Sequence, residues 1–333
     1  MKKPKIIATV GPASENILQE MQNSGVEIFR LNFSHADKNW HKKQITKIKK
    51  LKNKAKIMLD TRGPEIRTGK INNPIQLKKG DRLTLITKEQ AQNIKNLLIY
   101  CNYPELPSSV KINDVIQFDG GNFSGKIVAV HGRSVAVEIE FPGVLKSRQH
   151  INLPGVRILL PTISKQDEND IKFGQENNVD FIALSFVRNW QDIVQAKEIA
   201  GKKIGIISKI ECQSGVDNFS EILKKSDGIM VARGDLGVEI PLEKVPIIQK
   251  NILSTLSKSE KFGIVATQMI DSMVENPRPT RAEVTDISTA VTEKADYLML
   301  SDETAVGKFP LKSIEIMQKV IDYTFEEAKN TLQ

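Results

Sequence analysis

Short, very apolar runs recur along this chain, and most are separated by stretches whose apolar residues return with the 3.6-residue period of a helix. Eight of these runs read as strands, at residues 6–10, 27–32, 56–60, 181–186, 204–209, 228–232, 263–267 and 297–301. One helix start is legible in detail: Pro277-Arg278-Pro279 stiffens the approach, and Thr280 with Glu283 makes a capping box. The runs end in polar groups. Side chains alternate faces along a strand, so Lys209 and Glu211, two apart, point the same way. An ammonium beside a carboxylate where a strand leaves the core suits a site that holds a metal and an anion together. Asp235 closes the next run, and Gly234 beside it lets backbone approach a ligand. Arg30, Asn32 and Ser34 share one face of the second run; Asp60 and Thr61 end the third, with Arg62 and Arg67 close behind; Thr267 and Ser301 end the last two. Polar groups at the carboxyl ends of many hydrophobic strands, each followed by a helical pattern, describe the active face of a (β/α)8 barrel.

The interval after Asp60 breaks the alternation, being far too long for one crossover. It holds alternating runs such as DRLTLIT, DVIQFDG, GKIVAV and VAVEIEF, divided by Gly, Asn and Asp. The expected fold is therefore an α/β protein: a (β/α)8 TIM barrel with a small all-β barrel domain inserted after the third strand. Residues 1–70 form the first part of the barrel, 71–153 the insertion and 154–333 the second part. Removing the insertion leaves about 250 residues, the usual size of such a barrel. An insertion above the active face is placed to act as a lid, with Gly63-Pro64 and Pro154-Gly155 as hinges.

Charge and composition narrow the function. The chain carries 48 basic and 40 acidic residues, a net charge of +8. A lysine cluster at residues 42–56 reads as a solvated helix face, since Ile45, Ile48 and Leu51 keep an apolar stripe and no aromatic residues interleave to stack bases. Nucleic acid is accordingly not an expected partner, while the positive field draws in small anions. No signal peptide and no long apolar run point to secretion or a membrane span. Cys101 and Cys212 fall in different expected domains and make no metal spacing, so a reducing, cytoplasmic setting is the default.

Nine motifs in order give the whole chain a resemblance to the pyruvate kinase family: KIIATVGPAS, FRLNFSHA, MLDTRGPEIRTG, NLPG, IISKIE, GIMVARGDLGVEIP, VATQMIDSM, NPRPTRAEVTDI and MLSDETAVGKFP. The family transfers the phosphoryl group of phosphoenolpyruvate to ADP, with a divalent metal and usually potassium. The resemblance implies that Glu211 and Asp235 hold Mg2+ or Mn2+, and that Lys209 lies on the phosphoryl group in flight. It implies a potassium site at Asn32, Ser34, Asp60 and Thr61, and potassium activation because Glu65 is the residue type of the potassium-dependent members. Arg30 would reach the transferring phosphate, and Arg67 with His35 the nucleotide phosphates. The backbone N–H groups of Gly234 and Asp235 would receive the substrate carboxylate. Thr267 falls where the family places a proton source for the enolate carbon, with Ser301 in the relay.

The chain also departs from the family pattern. Ser301-Asp302-Glu303 stands where the family has Ser-Gly-Glu, Gln166 where it has lysine, and Arg148-Gln149-His150 where a lysine and glycine precede the NLPG motif. The family's carboxyl-terminal regulatory domain has no counterpart before Gln333, so the expectation is an enzyme without sugar-phosphate control, assembled as a homodimer through barrel contacts. Two other readings compete: a paralogue that keeps the metal and enolpyruvate site but uses another acceptor, and a non-catalytic phosphoenolpyruvate- or nucleotide-binding protein.

Overall fold

In the computed structural model, which describes residues 2–330, the chain divides into two compact units, one of residues 2–63, 162–236 and 243–330, the other of 64–161 and 237–242. In the first unit eight strands close into a barrel. In chain order these are Lys5–Thr9, Val26–Asn32, Lys56–Asp60, Phe181–Leu184, Gly205–Ile210, Gly228–Ala232, Phe262–Ala266 and Tyr297–Leu300. Every pairing is parallel, and Lys5–Thr9 closes the ring on Tyr297–Leu300. Ile7, Ile28, Met58, Ala183, Ile207, Met230, Ile264 and Met299 fill its interior, all buried.

Four strands stop short of the sequence expectation: the first ends at Thr9 instead of Val10, and the other three stop for a backbone reason. The fourth ends at Leu184, because Phe186 adopts a left-handed conformation (φ 51°). The seventh ends at Ala266, because Thr267 and Gln268 are left-handed in succession (φ 70° and 52°). The eighth ends at Leu300, where Ser301 turns away at φ −107°, ψ −99°. The helix at Arg281–Thr292 opens with the expected capping box, and Glu283 also accepts from the Ser272 N–H and hydroxyl. The lysine-rich segment is the helix Lys38–Lys49, with His41, Gln44, Ile45 and Ile48 buried and Lys42 and Lys43 exposed.

The second unit is a seven-stranded sheet plus a two-stranded ribbon. The sheet's end strands, Ile66–Arg67 and Leu98–Tyr100, meet at a single bridge between Thr68 and Cys101, so it curls back on itself. Its core is built around Tyr103 and the stacked pair Phe118 and Phe123, 4.7 Å between centroids. The unit is wider than residues 71–153. Ile66–Arg67 pairs with His150–Asn152, which brings the chain in from Pro64. On the return, Val156, Ile158 and Leu160 pack on this core and the Leu159 N–H donates to the Tyr103 hydroxyl. Pro154-Gly155 therefore lies inside this unit, whereas Gly63-Pro64 falls at its edge. Cys101 and Cys212 are both unbridged. Among the described residues no helix is long and apolar enough to cross a membrane.

Candidate active site

At the carboxyl ends of the third, fourth and fifth barrel strands a charged cluster is buried. The register sets Asp60 beside Asn32 on one neighbouring strand and Ala183 on the other. Lys209 is 8 % exposed, and its ammonium bonds Asp60 Oδ1 at 2.9 Å and Ser185 Oγ at 2.8 Å. The second oxygen of Asp60 accepts from Arg30 Nε at 2.6 Å, and Arg30 also donates to Thr9 Oγ1 at 2.9 Å. Burial alone would push the Asp60 carboxyl up, but Lys209 and then Arg30 outweigh it and hold it below the usual carboxylate range. Burial likewise works against the Lys209 charge, yet Asp60, Glu211 and Asp235 together raise its pKa above that of a free lysine.

Glu211 is the strained member of the group. It is fully buried, and its Oε2 accepts from the Phe186 N–H at 2.7 Å. Oε1 lies 3.0 Å from the Lys209 ammonium, an ion-pair contact whose angles do not make a hydrogen bond, and it has no other partner. Burial, with the neighbouring Asp235 and Asp60 charges, outweighs Lys209 and Phe186 and pushes this carboxyl up to about 8. A buried carboxylate oxygen lacking a hydrogen bond is the atom a hard cation would complete. Among the described residues no three His, Cys, Asp or Glu side chains come together as ligands, so an ion at Glu211 and Asp235 would draw further oxygens from substrate and water. That donor set fits Mg2+ or Mn2+, which are commonly held by one or two carboxylates plus substrate phosphate.

The expected potassium ligands cluster on two adjacent strand ends. Asn32 Oδ1 accepts from the Ser34 N–H, and Thr61 is buried with its hydroxyl shared between the Ala183 carbonyl and the Ser185 N–H. Gly63, at φ 76°, passes so close to the fourth strand that a Cβ there would lie 2.8 Å from Ser185 Cβ. His35 is exposed, and its carbonyl accepts from the buried His41 ring. Arg67 belongs to the second unit, where Glu65 grips it at 2.8 Å through both Nε and Nη2 and Nη1 donates to the Arg148 carbonyl.

Gly234 differs from expectation. Its N–H is not open to a substrate carboxylate, because it donates to Thr267 Oγ1 at 2.7 Å. That hydroxyl in turn donates to the Ala266 carbonyl at 2.6 Å. The left-handed Thr267–Gln268 pair is held from outside by Arg233, which donates to both their carbonyls and is anchored by Asp286. The Ser301 hydroxyl is buried without a partner. Sequence reasoning missed Ser185, Phe186 and Arg233; the first two sit in an apolar stretch that carries no charge to mark them.

The departures prove locally occupied. Gln166 bonds Asp170, and the Gln149 side chain accepts from the Lys146 N–H within a turn where Arg148 is left-handed (φ 54°). Asp302 stands near Asp271, whose carboxyl is raised by burial first and then by Asp302 and Glu283.

A (β/α)8 barrel whose mouth buries a lysine between carboxylates defines the class of barrel enzymes suited to a multiply charged anion. A family model described as pyruvate kinase, barrel domain, matches residues 1–314. The chain is 44 % identical to the pyruvate kinase of Clostridium perfringens over 96 % of its length and 70 % of that protein, and 43 % identical to that of Thermotoga maritima with the same shares. It is 41 % identical to the Staphylococcus aureus pyruvate kinase, of which it spans 56 %. The crystal structure of a pyruvate kinase from Cryptosporidium parvum superposes with a TM-score of 0.91 at 38 % identity, over 97 % of this chain and 69 % of that one. The chain belongs to the pyruvate kinase family, a family of phosphotransferases that generally need Mg2+ and K+.

Proposed function

We propose that this chain transfers the phosphoryl group of phosphoenolpyruvate to ADP, giving pyruvate and ATP in glycolysis. The observation that carries the reading is the Lys209 ammonium, held between Asp60 and Glu211 beside a carboxylate oxygen without a hydrogen bond. In-flight phosphoryl groups spread charge over their equatorial oxygens, so positioning and electrostatics supply most of the catalysis. Lys209 and Arg30, both tied to Asp60, present two cations at fixed places for those oxygens. Glu211 and Asp235 would hold Mg2+ or Mn2+, and Asn32, Ser34, Asp60 and Thr61 would hold K+. When bound, these ions neutralise charge on the substrate and nucleotide phosphates.

His35 and Arg67 serve the nucleotide phosphates in this reading, with Arg67 giving up part of its Glu65 pairing. Substrate carboxylate reaches the Gly234 and Asp235 N–H groups once Thr267 Oγ1 releases the first of them. The Thr267 hydroxyl proton, which rests on the Ala266 carbonyl, would turn from it to the enolate carbon, with Ser301 behind it in the relay. A homodimer through barrel contacts belongs to the same reading, supported by the exposed apolar side chains Ile247 and Tyr323 on outer helices and tested by sedimentation. A reducing, cytoplasmic setting is supported by the two unbridged thiols.

The test is pyruvate release from phosphoenolpyruvate with ADP, Mg2+ and K+, beside Lys209→Ala. The variant is expected to lose at least about 10²–10³ in turnover; near-normal turnover would overturn the assignment. Replacing K+ by Na+ is expected to depress the rate strongly, and equal rates would remove the monovalent site.

A further inference from the structure

An ammonium has three N–H donors and no acceptor. At Lys209 one goes to Asp60 and one to Ser185 Oγ at 2.8 Å, while the third faces Glu211 Oε1 without making a hydrogen bond. The loosest of the three contacts is therefore the one on the side where a cation would claim Glu211. With Glu211 holding a cation, the third N–H would be free for a phosphoryl oxygen, and Asp60 and Ser185 would remain as the two points that fix the ammonium.

The Ser185 hydroxyl is itself oriented. It is 1 % exposed, and its proton is committed to the Thr61 carbonyl at 2.6 Å, so its lone pair faces Lys209. Its backbone N–H is separately held by Thr61 Oγ1 at 3.1 Å, which fixes the main chain independently of the hydroxyl. We propose that Ser185 is a positioning residue for Lys209, its hydroxyl setting where the ammonium stands when it meets the transferring group. Asp60 alone leaves the four-carbon stem free to swing about a single contact. With the hydroxyl present, the ammonium is held between two strand ends.

The kinetic consequence rests on the proposed phosphoryl transfer; the geometric one does not. Ser185→Ala removes the acceptor and Ser185→Cys replaces it with a weak sulfur acceptor, both leaving the backbone bonds, and the two variants differ in volume so that one guards the fold of the other. Crystal structures of wild type and both variants are expected to show Lys209 Nζ displaced by about 1 Å or more, a shift of the size that misplaces a catalytic group by about 10²-fold in rate. Steady-state kinetics are expected to show kcat lowered by about 10- to 100-fold, with the KM for phosphoenolpyruvate changed far less, the mark of an interaction used in the transition state. An Nζ that stays in place in both variants overturns the proposal, as does wild-type-like kcat in both. A kcat loss that disappears on cooling, together with a lowered melting temperature, assigns Ser185 to the fold alone and also overturns it. A wild type without turnover counts against the phosphoryl-transfer reading, and the position of Nζ then decides the role of Ser185.

Discussion

The two ends of one barrel solve opposite problems with the same eight strands. At the amino-terminal end Phe181, Phe262 and Tyr297 meet edge to face at 5.5 Å centroid spacings and pack against the interior layer. Gly228 makes room for them: a Cβ there would fall 2.4 Å from the Phe262 ring. Glu27 at this end is half-buried and takes the Tyr297 hydroxyl at 2.9 Å together with Lys5, while Asp180, Asp227 and Asp296 accept the backbone N–H groups of Ile57, Ile206 and Gly263. At the carboxyl-terminal end the interior is charged, and Glu211 Oε1 and Ser301 Oγ, with Arg62 Nε and Arg233 Nε, are buried without a hydrogen bond. The floor is chemically finished; the mouth needs something from outside. Unsatisfied buried groups are a cost that a merely structural end has no reason to bear.

The sharpest break in the comparison comes from pH. Glu211 titrates near 8 in the fold, against an ordinary value of 4.5, so between those values the folded chain binds more protons than the unfolded one. Its contribution to stability therefore falls as pH rises through that window in the metal-free protein. Glu27 has the opposite sign. Burial pushes it up, but hydrogen bonds from Lys5 and Tyr297 and the Lys5 and Lys56 charges outweigh that and hold it low, so its contribution is present above 4.5 and is lost as pH falls below. Glu211→Gln is expected to flatten the neutral-side decline, to weaken Mg2+ binding and to lower turnover by at least about 100-fold, a loss no smaller than that for removing a partner of a metal ligand. Melting curves from pH 4 to 9 with and without Mg2+ measure the first, and calorimetric titration the second. An unchanged decline in the variant would show that Glu211 is not what makes the mouth unfinished.

Gly228→Ala attacks the floor instead. Overpacking at a rigid aromatic ring is expected to destabilise by about 1–3 kcal/mol, with kcat unchanged in the protein that remains folded. Urea unfolding beside turnover per folded molecule checks both halves. A variant that lost kcat at full stability would mean that the floor reaches the chemistry.

How far each end was legible follows from what its residues are. Lys209, Glu211, Asp60 and Arg30 announce themselves as charges ending apolar runs, and the structure brings all four together. Ser185 does not, because a serine at the end of an apolar run is unremarkable until a neighbouring strand sets Lys209 against it. Thr267 was legible as a hydroxyl at a strand end, but its left-handed backbone and its grip on the Gly234 N–H depend on Arg233, a contact made across 34 residues. The start of the second unit was hidden for a similar reason. Ile66–Arg67 is a two-residue strand whose partner lies more than 80 residues later, too short for any alternation to show. The floor's rings read only as the first residues of apolar runs, and nothing local says that Phe262 covers Gly228.

Tyr297→Phe makes the smallest intervention and tests whether one polar tether of the floor matters. It deletes one hydroxyl, leaving the ring to fill the same space against Phe262. A hydrogen bond to a charged acceptor contributes about 1.5–3 kcal/mol, but water reaches the half-buried Glu27 carboxylate to replace it, so the expected change lies below that range, at about 1 kcal/mol or less. Without the phenol donor Glu27 is held low less firmly, which shrinks the acid-side loss of stability while the neutral-side decline set by Glu211 stays as it was. Acid-limb melting curves of the variant and the wild type measure that difference. If the two limbs moved together, the ends of the barrel would be one coupled electrostatic system rather than a finished floor beneath an unfinished mouth.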